Sequence, residues 1–107
     1  MNLITTNELK AKIESEDSFI LVMVLDEWQF IAKHIEGSIN ISSINDPKVR
    51  LLSPTDDIVV YCSSESCPAS ILAYKGMVAS GFTSVRRYAG GLTAWEEAGH
   101  PLQGEMA

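Results

Sequence analysis

Two thiols, Cys62 and Cys67, enclose Ser63, Ser64, Glu65 and Ser66, and the chain runs on through Pro68 and Ala69 to Ser70. A cysteine attacks as its thiolate, and a free thiol titrating near 8.5 is only a few per cent ionised at neutral pH. Small loop residues let several backbone N–H groups surround one sulfur, and a helix opening behind the loop adds the positive end of its dipole. Ser63, Ser64 and Ser66 are compact and supply hydroxyl donors as well. The pattern therefore predicts a nucleophilic Cys62 held in an amide-rich loop. Cys67 adds a second chemistry, because a neighbouring thiol can attack a persulfide or sulfenic acid on the first and close a disulfide. The plainer alternative makes Cys67 a small apolar residue tucked under the loop ahead of Pro68.

Such a loop needs a strand before it and a helix after it. Ile58-Val59-Val60-Tyr61 is a short run of β-favouring residues ending at Cys62, which places the thiol at the carboxyl end of a buried strand, where open α/β sheets collect ligands. Pro68 at a first helical position opens a helix to about Ser80, with Ile71, Tyr74 and Val78 on one face, and Gly81 stops it. Upstream, Thr5 and Glu8 stand at capping-box spacing and start a helix from Thr6 to about Ser15. Phe19 to Leu25 is continuously apolar and reads as a strand covered on both faces. Asp26 to His34 reads as a short helix with Phe30 and Ile31 inward, Ser38 to Ile41 as a strand, Ser84 to Tyr88 as another, and Gly91 to Ala98 as a closing helix. Alternating strands and helices imply an α/β domain with a parallel sheet covered on both faces.

Composition narrows the function classes. A chain of 107 residues with 46% hydrophobic content fits one compact domain spanning 1–107. The longest apolar run, Phe19 to Leu25, is far short of the ~20 residues that a membrane span needs. The amino terminus has no basic start followed by an apolar segment, so a cytoplasmic location is expected. A net charge of −6 argues against nucleic acid and anionic membrane as partners, and gives no long-range attraction to anionic substrates. His34, His100 and the two cysteines have no zinc spacing, and no glycine-rich nucleotide motif is present, so neither metal nor cofactor is expected. Asp56-Asp57 and Glu96-Glu97 read as solvated faces, Trp95 as core and His100 as a solvated loop residue. Nothing in the residues sets an oligomeric state.

Three segments in this order resemble the rhodanese-like domain, a family of sulfurtransferases and their relatives. They are His34-Ile35-Glu36-Gly37-Ser38-Ile39-Asn40-Ile41; Val59-Val60-Tyr61-Cys62 with its loop, helix and Gly81-Phe82; and Gly90-Gly91-Leu92-Thr93-Ala94-Trp95 followed by Gly99-His100-Pro101. The resemblance implies a five-stranded parallel sheet flanked by helices on both faces. It also implies persulfide formation on Cys62, with the Ser63, Ser64, Glu65, Ser66 and Cys67 loop binding the substrate. The family's histidine, matched by His34, holds the connection between helix and strand.

The departures from the family's pattern bear on substrate. Active members carry an arginine or similar donor about five residues after the cysteine, where this chain has Cys67, and its loop holds Glu65 but no basic residue. A charge-assisted hydrogen bond is worth roughly 1.5–3 kcal/mol against about 0.3–1 for a helix terminus, so thiosulfate is expected to be a poor substrate. Met23, Val24 and Leu25 stand where the family reads Asp-Val-Arg, and Asp26 is left to cap the next helix. The spacing from Cys62 to Gly81 is also one residue longer than the common pattern, as in relatives that act on phosphate, but those depend on a loop arginine that is absent here. The sequence thus points to a sulfurtransferase or sulfur carrier, its partners a sulfane-sulfur donor and a thiol acceptor, either small molecule or protein. The alternatives are a rhodanese fold kept as a catalytically weak binding or regulatory module, and a Cys62/Cys67 redox sensor.

Overall fold

A computed structural model describes all of residues 1–107 and orders them as α1 (Thr6–Glu14), β1 (Ile20–Met23), α2 (Glu27–Ala32), β2 (Ile39–Asn40), a 3₁₀ turn (Pro47–Leu51), β3 (Ile58–Tyr61), α3 (Ala69–Ala79), β4 (Val85–Arg87) and α4 (Gly91–Glu97). The start of α1 is the reciprocal cap expected from its spacing. Thr5 Oγ1 accepts the Glu8 N–H at 3.1 Å, and Glu8 Oε1 accepts the Thr5 N–H at 3.0 Å.

All strand pairs are parallel, in the order β2-β1-β3-β4, with Val22 beside Ile39, Leu21 beside Val59 and Val60 beside Arg87. Because side chains alternate along a strand, β1 feeds two cores. Leu21 and Met23 join Leu9 of α1 and Trp95 of α4 on one face, while Val22 and Val24 join Ala73 and Met77 of α3 on the other. This double burial is why the strand reads as one unbroken apolar run.

The sheet has four strands, not the five implied by the resemblance. The remaining place, beyond β4, is reduced to a single parallel bridge between Leu3 and Arg87. Arg87 donates its N–H to the Asn2 carbonyl at 2.8 Å and accepts the Ile4 N–H at 3.0 Å. At Thr5 the chain already turns into its helix cap, so no further residue continues the pairing.

Two helix faces differ from expectation. In α3 the buried residues are Ser70, Ala73 and Met77, while Val78 is 48% exposed. Apolar residues run almost all round this helix, so periodicity does not choose a face. The choice is made by Gly76, where a Cβ would stand 2.7 Å from Ile44 Cγ1, and by Ser70, which the site requires. In α2, Phe30 packs against the core but Ile31 is 42% exposed and Trp28 68%. His100 is half-buried rather than solvated, its ring 4.7 Å from that of Trp95. Asp57 is no free solvated acid either, since it takes Lys12 Nζ at 2.7 Å and Arg86 at 3.5 Å. None of the helices is long and apolar enough to cross a membrane.

Candidate active site

Cys62 follows β3 directly and is 1% exposed, with the 63–67 segment folded over it. The loop is held from one side by α4. Leu92 N–H and Thr93 N–H donate to the carbonyls of Cys62 (3.1 Å) and Ser63 (2.9 Å), and Thr93 Oγ1 donates to Ser63 at 3.0 Å. These contacts use the free N–H groups that a helix start always has. They need Gly91, whose φ is +60° and whose added Cβ would meet the Cys62 carbonyl oxygen at 2.4 Å.

The His34–Ile41 segment fastens the strand that carries the cysteine. Tyr61 Oη accepts the Ile35 N–H at 3.0 Å and shares a 2.9 Å hydrogen bond with Ser38 Oγ. Burial pushes the Tyr61 phenol up to about 12, against smaller opposing effects of these two hydrogen bonds. Asn40 Nδ2 donates to the carbonyls of Met23 and Leu25 at the end of β1. His34 stacks on Phe30, its Nδ1 sits 2.7 Å from the Phe30 carbonyl, and its N–H donates to Gln103. The geometry gives His34 a structural position, away from the thiol's hydrogen-bond partners.

Around the sulfur itself the resting loop is not the ring of amides expected from the sequence. The neighbours of Cys62 Sγ are the Cys67 carbonyl at 3.4 Å, the Ser64 carbonyl at 4.0 Å and Ser70 Oγ at 3.2 Å. Carbonyl oxygens favour a thiol that donates to them over a thiolate that they repel. Burial pushes the Cys62 thiol up, a hydrogen bond with Cys67 adds to this, and hydrogen bonds from Ser70 pull it back. Burial also opposes ionisation of Cys67, but hydrogen bonds from Cys62, the Ala69 N–H and Ser63 together hold it below the ordinary thiol range. Both thiols are free, Cys62 shifted upward and the more accessible Cys67 downward, so ionisation is favoured at Cys67 over Cys62.

The other loop residues divide by position. Ser64 and Ser66 hydrogen-bond each other at the surface (3.2 Å), and Glu65 is exposed with its carboxylate free of the sulfur. Ser64, Glu65, Ser66, Thr93 and Glu97 line a shallow cavity of about 300 Å³ beside the loop, which holds two carboxylates and no cation.

Two residues of the site were not identified from sequence. Ser70 is fully buried on α3, and Arg87 is 6% exposed on β4. Arg87 Nε donates to Ser70 Oγ at 2.9 Å, and Nη2 donates to the Glu65 carbonyl at 3.2 Å. The absence of a basic residue in the loop is real, yet a cation lies directly beneath it. Strand parity held the signal, because Arg87 is two residues from inward-facing Val85 and so shares its face.

Residues 5–98 match the rhodanese-like domain family. The chain is 30% identical to thiosulfate sulfurtransferase 18 of Arabidopsis thaliana, over 95% of its own length and 83% of that protein's. It superposes with a TM-score of 0.86 on the rhodanese-like domain of an Anabaena protein, at 27% identity, covering 99% of this chain and 81% of that one. A thiosulfate sulfurtransferase from Pseudomonas aeruginosa gives a TM-score of 0.82 at 21% identity, covering 97% of this chain and 20% of that one, a likeness of fold alone.

Proposed function

Because the chain belongs to the rhodanese-like domain family, we propose that it is a sulfurtransferase or sulfur carrier in which Cys62 takes up sulfane sulfur and passes it to a thiol acceptor. The observation that carries this reading is the place of the Cys62 sulfur, at the carboxyl end of β3 under a folded loop and 3.2 Å from Ser70 Oγ. In loading, the Cys62 thiolate attacks the outer sulfur of a persulfide R–S–SH, giving Cys62–S–SH and R–S⁻. In delivery, an acceptor thiolate attacks that outer sulfur and the electron pair of the broken bond returns to Cys62.

The donor in this reading is a low-molecular-weight or protein persulfide. The Arabidopsis relative is named for thiosulfate, but the loop over Cys62 carries the exposed Glu65 and no basic residue, and its cation is underneath. The test is intact mass spectrometry after exposure to polysulfide. A gain of ~32 Da that disappears in Cys62→Ala supports the reading. An adduct that survives in that variant, or maps to Cys67, rejects it.

The downward-shifted Cys67 thiol, on a residue whose carbonyl lies 3.4 Å from Cys62 Sγ, favours a second reading, in which Cys62 and Cys67 act as a redox pair that closes a disulfide when Cys62 is oxidised or sulfurated.

A further inference from the structure

We infer that Ser70 is a catalytic donor to the Cys62 sulfur and that Arg87 is the positioning residue that aims it, so that the site's positive charge is delivered from β4 beneath the loop and not from the loop itself. This rests on the sulfur-transfer reading, in which Cys62 is the attacking group in loading and the leaving group in delivery.

The Arg87 guanidinium has donors and no acceptor. Its Nε–H at 2.9 Å occupies a lone pair of Ser70 Oγ. The hydroxyl's own proton is left for the other neighbour, Cys62 Sγ, at 3.2 Å. Once the sulfur is an anion it has no proton to give, and Ser70 becomes the donor of that pair. Ser70 has no other hydrogen-bond partner among side chains or backbone carbonyls.

Arg87 also lacks the partner that buried guanidinium groups usually have. Every salt bridge in the molecule involves other residues, including the adjacent Arg86 with Asp57. A buried charge without a counter-ion is costly unless an anion completes it. Cys62 is the ionisable group that the Ser70 hydroxyl faces. The charged and titratable groups around it are Cys67, whose carbonyl lies 3.4 Å from the sulfur, Arg87 from β4, and Glu65 and Glu97 in the shallow cavity beside the loop. In delivery the acceptor thiolate R–S⁻ attacks the outer sulfur of Cys62–S–SH, R–S–SH forms, and the charge that appears on Cys62 Sγ meets the Ser70 proton.

The experiment measures the pH midpoint of Cys62 alkylation by iodoacetamide in full-length protein carrying Cys67→Ser, alongside the urea unfolding midpoint. Ser70→Ala and Arg87→Gln are each expected to move the alkylation midpoint upward by about one pH unit, lowering the rate below it about tenfold. Arg87→Gln should add nothing once Ser70→Ala is present, and Arg87→Lys should restore part of the change. A purely structural role would move the urea midpoint and leave the alkylation midpoint in place. Should Arg87→Gln not fold, the smaller Ser70→Ala change still decides. An unmoved midpoint in Ser70→Ala overturns the inference, as does an Arg87→Gln effect of equal size with and without Ser70. Polysulfide loading, followed by mass, separates the two failures. Midpoints that shift as expected in a protein that never loads leave the donor chain standing and remove sulfur transfer, whereas normal loading with unmoved midpoints removes the donor chain alone.

Discussion

Gly91 lies against the backbone of Cys62 so closely that a Cβ on it would stand 2.4 Å from the Cys62 carbonyl oxygen and 3.0 Å from that of Ser63. Backbone cannot yield as a flexible side-chain tip does. The residue also holds φ at +60°, which costs an L side chain about 1–2 kcal/mol. Gly91→Ala is therefore expected to destabilise the fold by at least ~2 kcal/mol and to loosen the hydrogen bonds from Leu92 and Thr93 that hold the loop. Urea unfolding measures the first effect, and the rate of Cys62 alkylation at fixed pH the second. A variant with native stability and native thiol reactivity would show that α4 does not shape the site.

Much of this arrangement was legible in the residues, for identifiable reasons. The apolar run through β1 and the abrupt end of β3 at Cys62 mark a sheet buried on both faces, and the Thr5/Glu8 cap marks α1. What escaped was set by tertiary contact. Arg87 reads as one more surface charge beside Arg86 until strand pairing sends alternate residues to opposite faces. Ser70 reads as an ordinary helix-start serine until its hydroxyl is found between a guanidinium and a thiol. The fifth strand was expected by resemblance, and no local pattern in Met1–Ile4 opposed it. Only the helix cap at Thr5 limits the pairing there to one bridge.

Tyr61 ties the cysteine strand to the His34–Ile41 segment and makes an alkaline limb of stability. An ordinary tyrosine titrates near 10, and burial carries Tyr61 to about 12. Its contribution is complete below pH ~10, and it is lost as pH rises from ~10 to ~12, because the unfolded chain releases its proton first. The full loss is on the order of 2–3 kcal/mol. Tyr88, raised in the same direction chiefly by burial, adds to the slope. Urea unfolding at about pH 9 and about pH 11 should show a steep fall in the native protein and a shallower one in Tyr61→Phe. That variant should also be weaker at neutral pH by ~1–3 kcal/mol, since Ile35 N–H and Ser38 lose their partner. Parallel slopes in the two proteins would contradict this account.

Glu65 decides how the site meets a small dianion. Its carbonyl is held by Arg87, while its exposed side chain lines the shallow cavity beside the loop together with Glu97. Native thiosulfate:cyanide activity is expected below the usual enzyme range of ~10⁴–10⁸ M⁻¹s⁻¹ in kcat/KM. Glu65→Arg should raise it by about tenfold or more, the value of one charge-assisted hydrogen bond. Steady-state kinetics at fixed ionic strength would measure both. A native value inside that range, or a variant no better than the native protein, would show that the mouth charge does not govern substrate choice.

Within the sulfur-transfer reading, Cys67 is the residue placed to set the life of a persulfide on Cys62. The Cys67 carbonyl lies 3.4 Å from Cys62 Sγ, and hydrogen bonds from Ala69 N–H and Ser63 favour the Cys67 thiolate, the form that attacks. On a loaded site, Cys67–S⁻ reaches the inner sulfur of Cys62–S–SH, the Cys62–Cys67 disulfide forms, and the outer sulfur leaves as HS⁻. Under the redox-pair reading the native protein treated with polysulfide gains ~32 Da only briefly, then settles ~2 Da below its reduced mass with both thiols lost and hydrosulfide released. Dithiol should return it to the reduced form. In Cys67→Ser the ~32 Da adduct should persist on Cys62 until an acceptor thiol is added. Time-resolved intact mass spectrometry with a hydrosulfide assay distinguishes these courses. Equal adduct lifetimes in the native and Cys67→Ser proteins would make Cys67 a packing residue and leave Cys62 as a carrier with no internal exit for its sulfur.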